Sequence, residues 1–260
     1  MSGLVKGKAK GYFLEILRAL EACGYLVEAR LLDAQWLGVP QRRQRLFFIG
    51  VREDLGMKPA FPEPLSYRYS LRDALPWLRR VVHDTSGERS AGELSLDEPS
   101  VTVTVGVGVN AVNSHHFKVS GAGPTGEELR EASIERFAIG DEWKTLPPGG
   151  SSDRYYNLVR ADADTPSPTV TQTAGNVGAA GVTHPEEPRK FTIGELRRIC
   201  SFPDDFVLTG TYRQQWERLG RAVPPLMMRA VAEVLRDRVL LPKVRAQPFL
   251  CGAVSRPEGS

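Results

Sequence analysis

The 260 residues carry 34 lysines and arginines against 31 acidic residues, a net charge of +3, with 41% hydrophobic and 25% charged residues. That is an ordinary globular balance with enough chain to bury a real core, and too near neutral for a global field to draw it onto nucleic acid. Cys23, Cys200 and Cys251 are too few and too scattered for a disulfide framework or a zinc site, no stretch approaches the ~20 apolar residues that cross a bilayer, and the first ten residues lack a signal peptide's apolar core. A soluble, cytoplasmic chain without a metal is expected.

Phe13, Ile16, Leu17 and Leu20 recur at helical spacing, and Gly24 follows where a helix stops. Residues 25–32 and 46–51 read as strands, the second a short apolar run suited to full burial in a sheet. Helix, strand, loop, strand belongs to the tail end of an α/β sheet. From about 58 to 188, prolines and glycines are frequent and helical periodicity is poor. The alternating stretch Val101–Val105 reads as a strand, and the echo between 97–104 and 164–171 suggests two proline-led strand entries. Residues 127–137 give the one helical pattern there, and 146–152 a loop.

Helical signals return after Arg189. Thr192 and Glu195 form a capping box, Leu196, Ile199 and Cys200 make an apolar face, and Pro203 ends the segment. Tyr212, Trp216 and Leu219 mark another short helix. Pro224 and Pro225 pre-form a last one, with Met227, Ala230, Val231, Val234 and Leu235 as its core stripe. Past Leu241 a frayed tail is expected.

The segment 38–45, Gly-Val-Pro-Gln-Arg-Arg-Gln-Arg, leads straight into the second strand. Side chains alternate in an extended chain, so Gln41, Arg43 and Arg45 share one face. Their guanidinium forks suit phosphate oxygens and base carbonyls. Buried unpaired charge is prohibitively costly, so these groups belong at an edge or in a cleft.

This segment, the block Arg189 to Pro203, and Gly220-Arg221-Ala222-Val223-Pro224-Pro225 stand in the order and spacing of the carboxy-terminal motifs of DNA cytosine-5 methyltransferases. In that order they resemble the family's Gln-x-Arg-x-Arg, Arg-x-x-Thr-x-x-Glu…Phe-Pro and Gly-Asn-Ala-Val-Pro-Pro blocks, over nearly the whole chain. The resemblance implies an α/β fold: an incomplete Rossmann-like methyltransferase sheet with a small, irregular, β-rich target-recognition domain. The expected divisions are 1–57 for the catalytic α/β part, 58–188 for target recognition, 189–242 for hinge and returning helices, and 243–260 for the tail.

The resemblance also implies roles. Arg45 hydrogen-bonds the carbonyl of a flipped-out cytosine, Arg43 grips the neighbouring phosphate, and Gln41 shapes the loop. Arg42 is solvated or faces DNA phosphate. Arg221 and Ala222 approach S-adenosylmethionine, although Arg221 replaces the family's asparagine. Glu195 reads as a helix cap rather than a catalytic acid. The partner is double-stranded DNA, with nucleoid association through it. The chain has no Phe-x-Gly-x-Gly loop, no Pro-Cys dipeptide and no Glu-Asn-Val segment. None of its cysteines has an activating neighbour in sequence. Residues 3–7 resemble the stretch just after Glu-Asn-Val. The expectation is therefore the carboxy-terminal part of a methyltransferase, inactive alone, with an N-terminal half supplied by another chain or a missing segment. A non-catalytic DNA-binding module and a remnant are the alternatives.

Overall fold

The computed structural model describes residues 10–78 and 123–242. The expected strand at Val101–Val105, the first half of the sequence echo, residues 3–7 and the tail from 243 lie outside the described residues.

Helix α1, Lys10–Ala22, is followed by Gly24 at φ +83°, a left-handed turn that favours glycine. Strand β1, Tyr25–Asp33, then pairs antiparallel with β2, Gln44–Arg52, in a register running from Tyr25 opposite Arg52 to Asp33 opposite Gln44. Phe13 of α1 meets Phe48 of β2 with ring centroids 5.6 Å apart. Both strands were expected, but full burial of the second is corrected. Only Ile49 and Val51 are buried in β2, because among the described residues this sheet has two strands and α1 has no buried residue. The last helix supplies the cover that exists. Met227 of α7, Pro225–Leu235, packs with Ala34, Leu37 and Val39, and Val231 packs with Ile49 and Phe61.

The second lobe is irregular. Helices α2 (Leu71–Ala74), α3 (Gly126–Ala132) and α4 (Ala138–Thr145) are short. Ser70 with Asp73 and Thr125 with Glu128 form capping boxes on the first two. Strands β3 (Val159–Arg160) and β4 (Val182–Thr183) pair parallel over two residues each. Among the described residues the lobe is thus helix and loop rather than β-rich, and it holds three helices where one was expected. Burial of Ile139 and Trp143 makes α4, a tertiary cause that periodicity does not carry.

Helices α5 (Ile193–Ile199) and α6 (Tyr212–Arg221) complete this lobe, the first with the expected Thr192–Glu195 capping box. One core joins Leu71, Ala132, Val170, Phe191, Ile199 and Trp216. Packing therefore places residues 189–221 with the middle of the chain, and α7 returns to pack on the hairpin. Within the core, Arg189 makes a bidentate pair with Glu195 at 2.7 and 2.9 Å, and Trp77 Nε1 donates to the same carboxylate at 3.2 Å. Burial pulls the Arg189 guanidinium down, but the carboxylates of Glu195 and Glu187 outweigh it and leave its pKa raised.

His184 lies beside this pair. Its Nδ1 accepts the backbone N–H groups of Glu186 and Glu187 at 3.2 and 3.1 Å, which requires the unprotonated nitrogen. Burial first, then the charge of Arg189, lowers its pKa from 6.5 to about 3. The folded imidazole is neutral, whereas the unfolded one takes up a proton below about 6.5. Its contribution is therefore complete above that pH and is lost as pH falls towards about 3. Denaturant midpoints measured across this window will fall with acid, and less steeply in His184→Gln.

Candidate functional site at the junction of the lobes

The basic turn is built by backbone constraints. Asp33 accepts the N–H of Gln35 at 3.3 Å and starts a tight turn over Ala34–Trp36. Gly38 reverses the chain at φ +84°. Gln41 then bridges in parallel to Ser167: Ser167 N donates to Pro40 O at 3.0 Å and Arg42 N to Ser167 O at 2.8 Å. A second crossing runs nearby. Leu65 N donates to Trp36 O at 2.8 Å, and Leu71 N to Thr165 O at 3.1 Å. The hairpin and the larger lobe thus meet along two stitched segments.

Alternation along the first crossing turns Gln41 and Arg43 inward, at 0% and 1% exposure, and Arg42 outward. Arg43 Nη1 donates to Val170 O at 2.8 Å and Nη2 donates to Gly220 O. Burial, then the neighbouring charge of Arg45, lowers its pKa to about 10, so it stays cationic at neutral pH. Its expected place as a phosphate grip meets a different geometry. The guanidinium is sealed under the larger lobe and committed to protein carbonyls, with no surface to offer DNA. Gly220 is glycine for a packing reason: a Cβ there would lie 2.6 Å from Gln172 N.

Gln41 Nε2 donates to Cys200 Sγ at 3.5 Å. Burial pushes the Cys200 thiol up to about 11, against the pull of Arg43, Gln41 and Arg45. This cysteine is a protonated, sealed core group and no nucleophile. Arg45 shares the face of Gln41 and Arg43 but lies past the edge of the cover and is half-buried. Its Nη1 donates to Gln44 O at 2.9 Å, and among the described residues it has no carboxylate partner. Burial lowers its pKa, and Cys200 opposes that.

The two residues expected near a cofactor stand apart from this row. Arg221 is exposed, paired with Glu217, and donates from Nε to Gln172 Oε1 at 2.7 Å. A guanidinium held this way is not presented to a methionine carboxylate, and half-buried Ala222 adds no polar group. These residues alone do not fit an S-adenosylmethionine site. Sequence reading also missed Lys190, fully buried, donating to Ala174 O and lowered to about 8 by burial. No spacing signal marks such a lysine. Among the described residues, no cluster of His, Cys, Asp or Glu is placed to hold a metal, and no helix is long and apolar enough to cross a membrane.

A family model described as C-5 cytosine-specific DNA methylase matches residues 1–237. The chain belongs to that family. It is 29% identical over 235 residues to the type II methyltransferase M.NgoFVII of Neisseria gonorrhoeae, covering 86% of this chain and 54% of the relative. It is 32% identical over 222 residues to M1.HphI of Haemophilus parahaemolyticus, covering 85% and 50%. The chain therefore spans about half the length of these curated relatives. Among solved structures it resembles a prophage-encoded E. coli chain assigned to the DNA modification methyltransferases, at TM-score 0.57 and 18% identity over 90% of this chain and 68% of that one. It also resembles Spodoptera frugiperda DNMT2, at TM-score 0.50 and 14% identity over 90% and 63%. These likenesses give the fold class alone, a mixed α/β chain similar to methyltransferases of the Rossmann-like class.

Two outcomes follow from the geometry. Replacing Arg43 with Met removes both donors and orphans the carbonyls of Val170 and Gly220, at about 1–3 kcal/mol each. Denaturant unfolding will show a loss of about 3 kcal/mol or more, and Arg43→Lys will not restore it, because a single ammonium nitrogen cannot take the two places that Nη1 and Nη2 occupy in the planar fork. Separately, peptide mass spectrometry after alkylation at pH 8 will find exposed Cys23 modified and Cys200 intact until the chain unfolds.

Proposed function

We propose that this chain supplies the base-holding arginine and the recognition lobe of a DNA cytosine-5 methyltransferase, which transfers methyl from S-adenosylmethionine to carbon-5 of a flipped cytosine. The observation that carries the reading is Arg45, a half-buried cation without a carboxylate partner among the described residues, at the junction of the lobes and level with the sealed Arg43. A base inside a duplex hides its ring carbons, so it must be extruded and held by its polar edge. Arg45 holds the ring carbonyl oxygen. When a thiolate adds to carbon-6, negative charge spreads into the ring, and a fixed guanidinium stabilises it where it develops. Arg43 and Gln41 are positioning residues that fix the path of the strand carrying Arg45. Arg42, outward and exposed, contacts phosphate.

The nucleophile comes from a Pro-Cys segment that these 260 residues do not contain, in a catalytic half on another polypeptide or elsewhere in a longer protein. The methyl donor's groups are bound chiefly by that half, in keeping with the engagement of Arg221 by Glu217 and Gln172. The same lack of Pro-Cys favours a second reading, a DNA-binding module without catalysis.

Transfer of labelled methyl to duplex DNA by this chain combined with a family N-terminal half separates the two. Transfer is expected, and Arg45→Ala will lower it by about 10²–10³-fold while duplex affinity changes little. Failure of folded wild-type halves to transfer to any cytosine-bearing duplex will refute the enzymatic reading, and retained binding will then favour the module.

A further inference from the structure

The second crossing between the lobes carries a cation of its own. Arg68 lies between Leu65, tied to Trp36 O, and Leu71, tied to Thr165 O. Its guanidinium carbon sits 4.9 Å from the centre of the Trp36 ring. Both side chains are exposed. Trp36 stands just past the end of β1, where Ala34 N donates to Arg43 O at 2.9 Å, so the stack sits at the same end of the hairpin as the row of arginines.

Trp36 differs from the other tryptophans. Trp77 donates to Glu195, Trp143 to His184 O and Trp216 to Thr171 O, whereas the Trp36 indole N–H has no acceptor among the described residues. Arg68 likewise has no carboxylate partner among them. Nearby Asp73 is already engaged by Ser70 and the Tyr67 hydroxyl. An indole face covers one side of the guanidinium and leaves its edge of N–H donors open. Stacking holds an arginine without neutralising it. An anion that meets this edge and the indole N–H together is rewarded with little ordering cost, and the fork geometry suits a phosphate.

We propose that Trp36 and Arg68 form a clamp for the sugar–phosphate backbone of duplex DNA lying across the junction, with Arg68 on a phosphate and Trp36 bracing it. This rests on the reading of the junction as the DNA-facing side. The clamp reads no sequence, since phosphate contacts position the duplex without distinguishing bases. It acts on affinity and on the salt dependence of affinity.

The test is binding of the 260-residue chain to a fluorescein-labelled mixed-sequence duplex, titrated at several KCl concentrations. Arg68→Ala will weaken binding several-fold on every duplex and make the log–log salt slope shallower by about one. Trp36→Ala will give part of that loss, and Trp36→Phe will keep most of the wild-type affinity, because the ring remains beneath the guanidinium. Circular dichroism melts matching wild type establish that the exposed-site variants fold. Wild-type affinity and slope in folded Arg68→Ala overturn the clamp, as does a wild-type chain that binds no duplex. If Arg68→Ala binds like wild type while Arg45→Ala still lowers methyl transfer in the two-half assay, the clamp falls and the base-holding role stands.

Discussion

One buried guanidinium holds the molecule's two lobes to a common geometry. Arg43 stands one residue before β2 on the hairpin side and ends on the carbonyls of Val170 and Gly220, which belong to the larger lobe. Losing either carbonyl would strand a charged donor away from water, in a guanidinium whose Nε is already buried without a partner. Those two carbonyls therefore cannot drift, and neither can the strand beneath. The parity of an extended chain does the rest. With Arg43 fixed inward, Arg42 is forced outward and Arg45 onto the inward face, where the covering segment 167–170 has already ended. The difference between the sealed Arg43 and the half-buried Arg45 is set by how far the cover reaches.

The larger lobe explains why so many donors point inward. Its described strands are two residues long, so its backbone carbonyls find few ladder partners, and buried carbonyls must be satisfied somehow. Side chains supply the donors. Lys190 reaches Ala174 O, Trp216 reaches Thr171 O at 2.9 Å, Tyr212 reaches Phe191 O at 2.7 Å, and Arg160 reaches Pro185 O and Leu146 O, each at 2.8 Å. Arg43 belongs to this set. Two electrostatic regimes coexist among the buried cations. Arg189 faces a carboxylate and its pKa is raised, whereas Arg43 and Lys190 face neutral carbonyls and theirs are lowered. The second arrangement is tolerated because these groups act as multi-donor anchors, and a charged donor's hydrogen bond is stronger than a neutral one's.

Local signals were legible where local physics decides the outcome. The Thr192–Glu195 box, the Pro225 helix start, the Gly24 stop and both hairpin strands are each fixed by residues within a few positions. Helix α4 was not legible, since it rests on Ile139 and Trp143 meeting Ile134, Leu146 and Leu158 in a small core that helical periodicity does not mark. The sealed state of Arg43 was hidden because its cover comes from residues 127 and 177 positions away. The pattern of Gln41, Arg43 and Arg45 showed a shared face but not where that face is roofed. A motif of alternating donors reads identically whether its members are anchors or ligands.

The same stitching couples the larger lobe to the strand that carries Arg45. Residues 189–221 share a core with residues 71–78 and 161–182, so no loosely packed hinge separates α5 and α6 from the middle of the chain. What joins this body to the hairpin is the Gln41–Ser167 bridge, the Arg43 fork, the crossing at Leu65 to Leu71, and the seat of α7. Any relative motion of the lobes has to break a charged, desolvated contact at Arg43 before Arg45 can move. Packed interfaces of this kind favour discrete arrangements over continuous give. Contacts made by the larger lobe thereby reach the strand that carries Arg45 through two short crossings, and the path of that strand is fixed by a neighbour that is itself sealed from solvent.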